Sequence, residues 1–347
     1  MEEVIADKAV EWQQILEQAF SMLHRAKETE GDQALQQVSL LGCVGLKTGM
    51  VQEAEACFKE LLAVDGSKGS AFCYLVCVKN MLMMAARMRK GELFTEWLKE
   101  AEEKLSLTLN QVEQDKAVDF IIALTFIVCD RRYVDSLAVV RNLANQVITS
   151  IQDKKLLQAL FNEWTSLIAQ MARRNWGEVN SFLLTVLLKA LLKKQDLQVL
   201  KLTLLQLNMH LQMYSRWDGF EKAFITYKEL QYFYLLLLKR AGRMEIAEDL
   251  RKQYFVIVLR SIRDWIANVA RIGMLDDLDI IRDWQELLKN NLSESVQTWV
   301  DLLVQLEINY WHLTKPKTSR KQLEYLADLL EPNVVTDEYR MMLKVVA

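Results

Sequence analysis

The chain has few places where it can turn, and those places recur at long and nearly even intervals. Between them, apolar residues follow one another at steps of three and four, a pattern typical of amphipathic helices. The turn signals fall near Gly49, Gly91, Arg132, Trp176 and Trp217, about 42 residues apart. Two helices of about 18 to 20 residues each fill such an interval. The spacing therefore predicts a series of antiparallel helix pairs.

Residues that break regular structure are scarce. The 347 residues include 2 prolines and 11 glycines, whereas sheets and irregular loops need more of both for their turns. We therefore predict an all-α fold of about sixteen helices in eight antiparallel pairs. No low-complexity linker divides the chain, so residues 1–347 are predicted to form one domain, with an N-terminal helix at 1–30 and a C-terminal helical cap at 318–347. Predicted helix N-caps are Asp196, Ser293 and Thr336.

The clearest helix pair is residues 34–65, ALQQVSLLGCVGLKTGMVQEAEACFKELLAVD. Small residues at Gly42 and Ala54 let two helices approach closely, Phe58 fills the space beside them, and Gly49 ends the first helix. This pair, about a tenth of the chain, resembles a tetratricopeptide repeat. The resemblance implies a right-handed α-α superhelix, a tetratricopeptide-like solenoid. The matching residues, which are structural in that family, are Leu41, Gly42, Gly49, Ala54 and Phe58.

The resemblance also suggests one binding mode. Tetratricopeptide proteins that grip the terminal carboxylate of a peptide place Lys and Asn on the inward face of a repeat's first helix. In residues 34–65 those positions fall at Ser39 and Cys43, so this pair does not support a carboxylate clamp. Later stretches, such as 241–247 and 272–278, repeat the turn pattern in degenerate form.

The sequence carries no motif of an enzyme active site. It contains no Gly-x-Ser-x-Gly elbow, no glycine-rich phosphate loop and no His-Glu-x-x-His pattern, so we predict a protein without catalytic activity or cofactor. Cys73 and Cys77 lie four residues apart on a predicted helix, but a metal site needs two further ligands. The surrounding segment is strongly apolar, which favours buried free thiols that pack as small hydrophobic groups.

Cations accumulate at the predicted turns. If the turns stack in register, these side chains form a basic edge that suits an acidic or phosphorylated segment or a nucleic acid. A second interpretation is purely structural, because Lys and Arg near helix C-termini stabilise the last carbonyl groups and the helix dipole. The residues that such an edge would present to a partner are Arg131, Arg132, Arg173, Arg174, Trp176, Arg216 and Trp217.

The leading functional prediction is a non-enzymatic scaffold that binds a protein or peptide in the solenoid groove. The alternative is a regulator that binds an anionic partner along the basic edge. Bulk nucleic-acid binding is disfavoured, since 43 basic residues face 46 acidic ones. The acidic start and the absence of a long apolar run predict a cytoplasmic protein without a membrane segment, and five cysteines without an export signal predict reduced thiols. Uncovered apolar ends of the solenoid would favour a homodimer.

Overall fold

We describe the protein from a computed structural model. The described residues are 2–26, 28–64, 69–174 and 177–218, with eleven further positions between 233 and 261. They form ten α-helices, and no strand occurs in this part of the chain. The prediction of an all-α protein is confirmed there. The helices are α1 (Glu2–Arg25), α2 (Glu28–Thr48), α3 (Val51–Ala63), α4 (Ala71–Arg87), α5 (Gly91–Leu109), α6 (Gln114–Arg131), α7 (Leu137–Ser150), α8 (Lys154–Arg173), α9 (Gly177–Lys194) and α10 (Leu197–Asp218).

The helices from α2 to α7 pack as three consecutive pairs in two layers. Each pair consists of neighbours in sequence: α2 with α3, α4 with α5, and α6 with α7. Across pairs, α2 packs on α4 and α4 on α6, which makes a first layer, while α3 packs on α5 and α5 on α7, which makes a second. Helix α1 packs on α2 and, over a shorter stretch, on α3. It therefore extends the second layer by one helix.

The turn inside each of these pairs has the same hydrogen-bond pattern. In the first turn, the amide of Met50 donates to the carbonyl of Gly45 at 2.8 Å, and the amide of Gly49 donates to the carbonyl of Leu46 at 3.4 Å. The second and third turns repeat both bonds, with Arg89 and Arg132 in the place of Gly49. All three residues have positive φ angles, of 86°, 57° and 56° in chain order. This combination is the Schellman motif that ends many helices.

The first pair owes its close packing to small residues, as the sequence predicts. Gly42 lies where α2 meets both neighbours: an added Cβ would lie 2.5 Å from Sδ of Met81 in α4 and 3.2 Å from Cβ of Cys57 in α3. Ala54 is fully buried, and so is Phe58, whose ring stacks on that of Trp97 with centroids 4.5 Å apart. The remaining matched residue of the repeat, Leu41, is half-buried on α2.

Two of the helices are shorter than the sequence predicts. Helices α3 and α7 have 13 and 14 residues, shorter than the predicted 18 to 20. Helix α3 ends because Val64 turns to an extended backbone, and a 3-10 helix at Val134–Ser136 occupies residues that would otherwise begin α7. The predicted cap at Asp196 is confirmed, since its Oδ1 accepts from the amides of residues 198 and 199 at 3.0 Å. The predicted caps at Ser293 and Thr336 and the segment 318–347 lie outside the described residues.

The chain divides into two compact units. The first comprises Met1–Leu167 with Trp176–Val186, and the second comprises Ile168–Asn175 with Leu187–Ala347. In the second unit, the buried Asn208 side chain accepts a hydrogen bond from the Tyr234 hydroxyl at 2.8 Å and donates to the carbonyl of Ser261 at 3.1 Å. These bonds tie together segments that are far apart in sequence. Across the described helices, none has the length and apolar content that a bilayer crossing requires.

Candidate functional site

The second and third turns touch each other directly. The Tyr133 hydroxyl, in the third turn, donates to the carbonyl of Ala86 at the end of α4, at 3.4 Å. Its ring lies 4.8 Å from the ring of Phe94 in α5, and an added Cβ on Gly91 would come within 3.0 Å of it. The hydroxyls of Thr95 and Ser136 lie 2.8 Å apart. Consecutive turns therefore form one continuous surface, which we call the turn edge (residues 86–95 and 130–136).

Two of the seven predicted partner-binding residues lie on this edge. Arg131 ends α6 and Arg132 follows it, and both side chains are exposed. Arg131 pairs with Asp130 at 3.6 Å, and Arg132 pairs with Glu178 at the start of α9 at 3.1 Å. Exposed pairs of this kind contribute about 0.2–1 kcal/mol. The two arginines are thus accessible, but each already has a carboxylate beside it.

The other predicted residues are not brought to this edge by the contacts of the first unit. Arg173 is the last residue of α8, and Arg174 follows it with an exposed side chain. Arg216 and Trp217 lie in the last helical turn of α10, so residue 217 is still helical where the sequence predicts a connection between helices. Trp176 lies outside the described residues. Arg131 and Arg132 are thus the described members of the predicted set in the first unit, whereas Arg173, Arg174, Arg216 and Trp217 belong to the second.

The turn edge has mixed charge. Exposed arginines at 87 and 89 add to those at 131 and 132, in agreement with the accumulation of cations seen in the sequence. Exposed or half-buried carboxylates lie among them, namely Glu92, Asp130, Asp135 and Glu178. Because unlike charges alternate over a few residues, the field of the edge largely cancels beyond a Debye length of about 8 Å. Long-range attraction of a polyanion is therefore not favoured.

A groove that the sequence did not predict lies between α1 and the start of α3, with α2 as its floor. It has a volume of about 990 Å³. Its lining residues are Glu11, Trp12, Ile15, Val44, Thr48, Gly49, Met50, Val51, Gln52 and Glu53. Ile15 is 45% exposed, although the next residue, Leu16, is buried in the same helix. Ile15 and Leu16 continue one apolar stripe, so periodicity alone does not separate the groove residue from the core residue.

One wall of the groove has an unpaired polar group. The indole Nε1 of Trp12 is shielded from water and has no hydrogen-bond acceptor. Leaving a donor in that condition costs about 1–3 kcal/mol. At the adjacent end of α3, the residue before the helix is Met50, whose side chain cannot accept a bond from the first amides. The Trp12 ring therefore lines the groove with its apolar atoms, while its indole nitrogen stays buried without an acceptor.

The five cysteines are free thiols. Cys57, Cys73, Cys77 and Cys129 are buried, in agreement with the prediction that they pack as small hydrophobic groups. Burial raises the pKa of Cys57 to about 12. The hydrogen bond between the thiols of Cys73 and Cys77, together with burial, raises the pKa of Cys77 well above its usual range. The raised pKa makes Cys57 and Cys77 poor nucleophiles. Among the described residues, no three His, Cys, Asp or Glu side chains converge as a metal site.

Comparison with protein families, with curated proteins and with solved structures finds no match for this chain. The likeness of residues 34–65 to a tetratricopeptide repeat therefore stays a prediction from the sequence. Function has to be argued from the packing of the helices and from the surfaces that they leave exposed.

Proposed function

We propose that the chain is a non-enzymatic scaffold that binds a protein or peptide along its first-layer helices. In this proposal the helix pairs continue as a tetratricopeptide-like solenoid of about eight pairs. The packing of α2 on α4 on α6, and of α3 on α5 on α7, supports it. A stack of this kind presents one continuous face made of equivalent helices, which suits an extended or helical segment of another protein.

The observation that carries the proposal is that every described first-layer helix of the three pairs exposes a large hydrophobic side chain. On the first layer, Leu40 of α2 is 65% exposed, Phe72 of α4 44%, and Phe126 of α6 50%. Of the second-layer helices, α1 exposes Ile15 and Met22, α5 exposes Leu107, and α3 and α7 expose no large hydrophobic side chain. Large exposed hydrophobic and aromatic groups repeated on equivalent helices are typical of surfaces that bind other proteins.

A second candidate is a regulator that binds an anionic partner along the turn edge. It is supported by the exposed arginines at the ends of α4 and α6, especially Arg89 and Arg132. These two occupy a left-handed conformation that glycine adopts at lower cost, so helix termination alone does not explain arginine at these positions. The carboxylates on the same turns weaken this candidate relative to the first.

Affinity capture from extracts of the cells that make the protein separates the two. The first variant, Leu40→Glu/Phe126→Glu, places charge on the first layer. The second, Arg131→Glu/Arg132→Glu/Arg173→Glu/Arg174→Glu, reverses the charge of the predicted basic residues. Lys99→Glu/Lys104→Glu on the exposed side of α5 is the matched control, and circular dichroism checks that all variants fold.

If the proposal is right, the wild type and the control retain the same partner proteins, and the first variant loses them. Loss in the second variant alone would favour the turn edge, and sensitivity of the capture to nuclease would identify nucleic acid as its ligand. Failure of the wild type to capture any protein above the background of uncoupled resin would refute the scaffold proposal.

A further inference from the structure

The groove beside α1 has a definite geometry. Helices α1 and α3 belong to the same layer and are joined at one end, where Nε2 of His24 lies 2.7 Å from Oε2 of Glu60. At the other end, Trp12 and Ile15 of α1 stand across the groove from the start of α3 at Val51. The groove thus lies between the two helices on the side away from the contact of His24 with Glu60. Helix α2 supplies the floor through Val44 and Thr48.

The described lining of the groove is mostly apolar and includes two acidic side chains. Its large apolar side chains are Trp12, Ile15, Val44, Met50 and Val51. The two carboxylates, Glu11 on α1 and Glu53 on α3, are the charged groups among the described lining residues. Ile15 and Val44 are 45% and 38% exposed, so part of this apolar surface is open to solvent. An occupant has to bring apolar side chains together with positive charge.

We propose that this groove binds a short amphipathic helix of another protein, whose apolar face is flanked by Lys or Arg. This inference rests on the proposed function, because it takes the chain to be a protein-binding module, and it adds a second binding site with its own ligand chemistry. The space lies between two helices of one layer and above a third. A helix placed there would contact all three, as α5 contacts both α3 and α4.

Polar contacts in the groove suit such a helix. Its Lys or Arg side chains pair with Glu11 and Glu53, one on each side of the groove. An acidic helix of the same apolar pattern would be repelled by the two carboxylates. The groove therefore selects by charge as well as by shape.

The inference is tested with two synthetic peptides and the full-length chain. The probe is a fluorescein-labelled amphipathic peptide of Leu and Lys, and its counterpart has Glu in place of every Lys. Fluorescence anisotropy measures the binding of each peptide. The Leu/Lys peptide is expected to bind at least about tenfold more tightly than the Leu/Glu peptide, since both charged sides of the groove discriminate between them.

Matched variants locate the binding. Glu11→Lys/Glu53→Lys is expected to weaken binding of the Leu/Lys peptide about tenfold. The control, Glu96→Lys/Glu103→Lys on the exposed side of α5, changes the net charge equally and should leave the affinity for the peptide within about twofold of the wild type. Ile15→Gln is expected to weaken it about tenfold by removing apolar contact. The control for that change is Leu107→Gln, since Leu107 is 65% exposed on α5.

Several results would overturn the inference. The wild type does not bind the Leu/Lys peptide, or all variants bind it alike, or the Leu/Glu peptide binds better. Sedimentation that shows a dimer which Ile15→Gln dissociates would mean that a second copy fills the groove. None of these outcomes bears on capture through Leu40 and Phe126, so a failure here is distinguishable from a failure of the scaffold proposal.

Discussion

Replacing Arg89 by glycine should stabilise the protein. Arg89 has a φ angle of 57°, which is the left-handed region, and no salt bridge of its side chain occurs among the described residues. Holding an L-residue there costs about 1–2 kcal/mol, because Cβ lies too close to the following carbonyl oxygen. Glycine avoids that contact but loses more freedom on folding, which offsets about 0.5–1 kcal/mol. The expected net gain is about 0.5–1 kcal/mol.

The same exchange two residues earlier should have the opposite sign. Arg87 is exposed and is the last residue of α4, with helical backbone angles, so Arg87→Gly should destabilise by about 0.5–1 kcal/mol. Arg132→Gly should be close to neutral, because the gain at a φ of 56° is offset by loss of the exposed pair with Glu178, worth about 0.2–1 kcal/mol. The three variants therefore form an ordered series in which only the backbone conformation and one ion pair differ.

Urea unfolding followed by circular dichroism measures the free energy of unfolding for each variant. Because a chain of two units need not unfold in one step, hydrogen exchange of the amides near the end of α4 provides a local measure. Equal destabilisation by Arg89→Gly and Arg87→Gly would refute the assignment of a left-handed residue to the second turn. It would also remove the argument that arginine is retained there at a cost in stability.

Three further predictions concern the core, a helix cap and pH. Phe58→Ala should destabilise by about 3–5 kcal/mol in urea unfolding, since its fully buried ring stacks on a tryptophan, whereas Phe72→Ala, at a ring that is 44% exposed, should cost much less. Asp196→Ala should cost about 1 kcal/mol through loss of the cap of α10, and Asp196→Asn should restore most of it in the same assay. Burial and the charge of the adjacent carboxylate raise the pKa of the Cys129 thiol from 9.0 to about 12, so its contribution to stability is complete below pH 9 and falls as the pH rises toward 12. Cys129→Ala should make the loss of stability between about pH 8 and about pH 10 shallower, and an unchanged slope would contradict that pKa.

Features that depend on local sequence were predicted well. Gly49 and Arg132 end α2 and α6, because the hydrogen bonds of a Schellman turn join residues only a few positions apart. The close contact at Gly42 and Ala54 also follows from the sequence, since only small side chains permit it. Gly91 was placed in a turn, whereas the turn residues are 88–90 and Gly91 begins α5. An error of that size is expected where the same residue type can end one helix or begin the next.

The groove beside α1 was not predicted, because it depends on the distance between neighbouring helices. Ile15 and Leu23 belong to the same apolar stripe of α1, but Leu23 is fully buried and Ile15 lines an open groove. Leu23 is next to His24, which contacts Glu60 of α3, whereas Ile15 lies across the groove from the start of α3. Separation between helices is set by the whole layer and leaves no mark on the periodicity of one helix. The candidate partner residues at 131 and 132 were found as a charge pattern, but the acids that neutralise them come from Asp130 and from α9.

The closure of each helix pair by its own turn has a consequence for biosynthesis. The bonds that form the turn at Gly49 join residues within 45–50, and the helices that they bring together are consecutive in the chain. A pair can therefore close as soon as both of its helices have left the ribosome, before the next pair has been made. Contacts between neighbours in sequence also favour rapid folding. A newly made chain then adds pairs in order, and each pair shields the apolar side of the one that emerged before it.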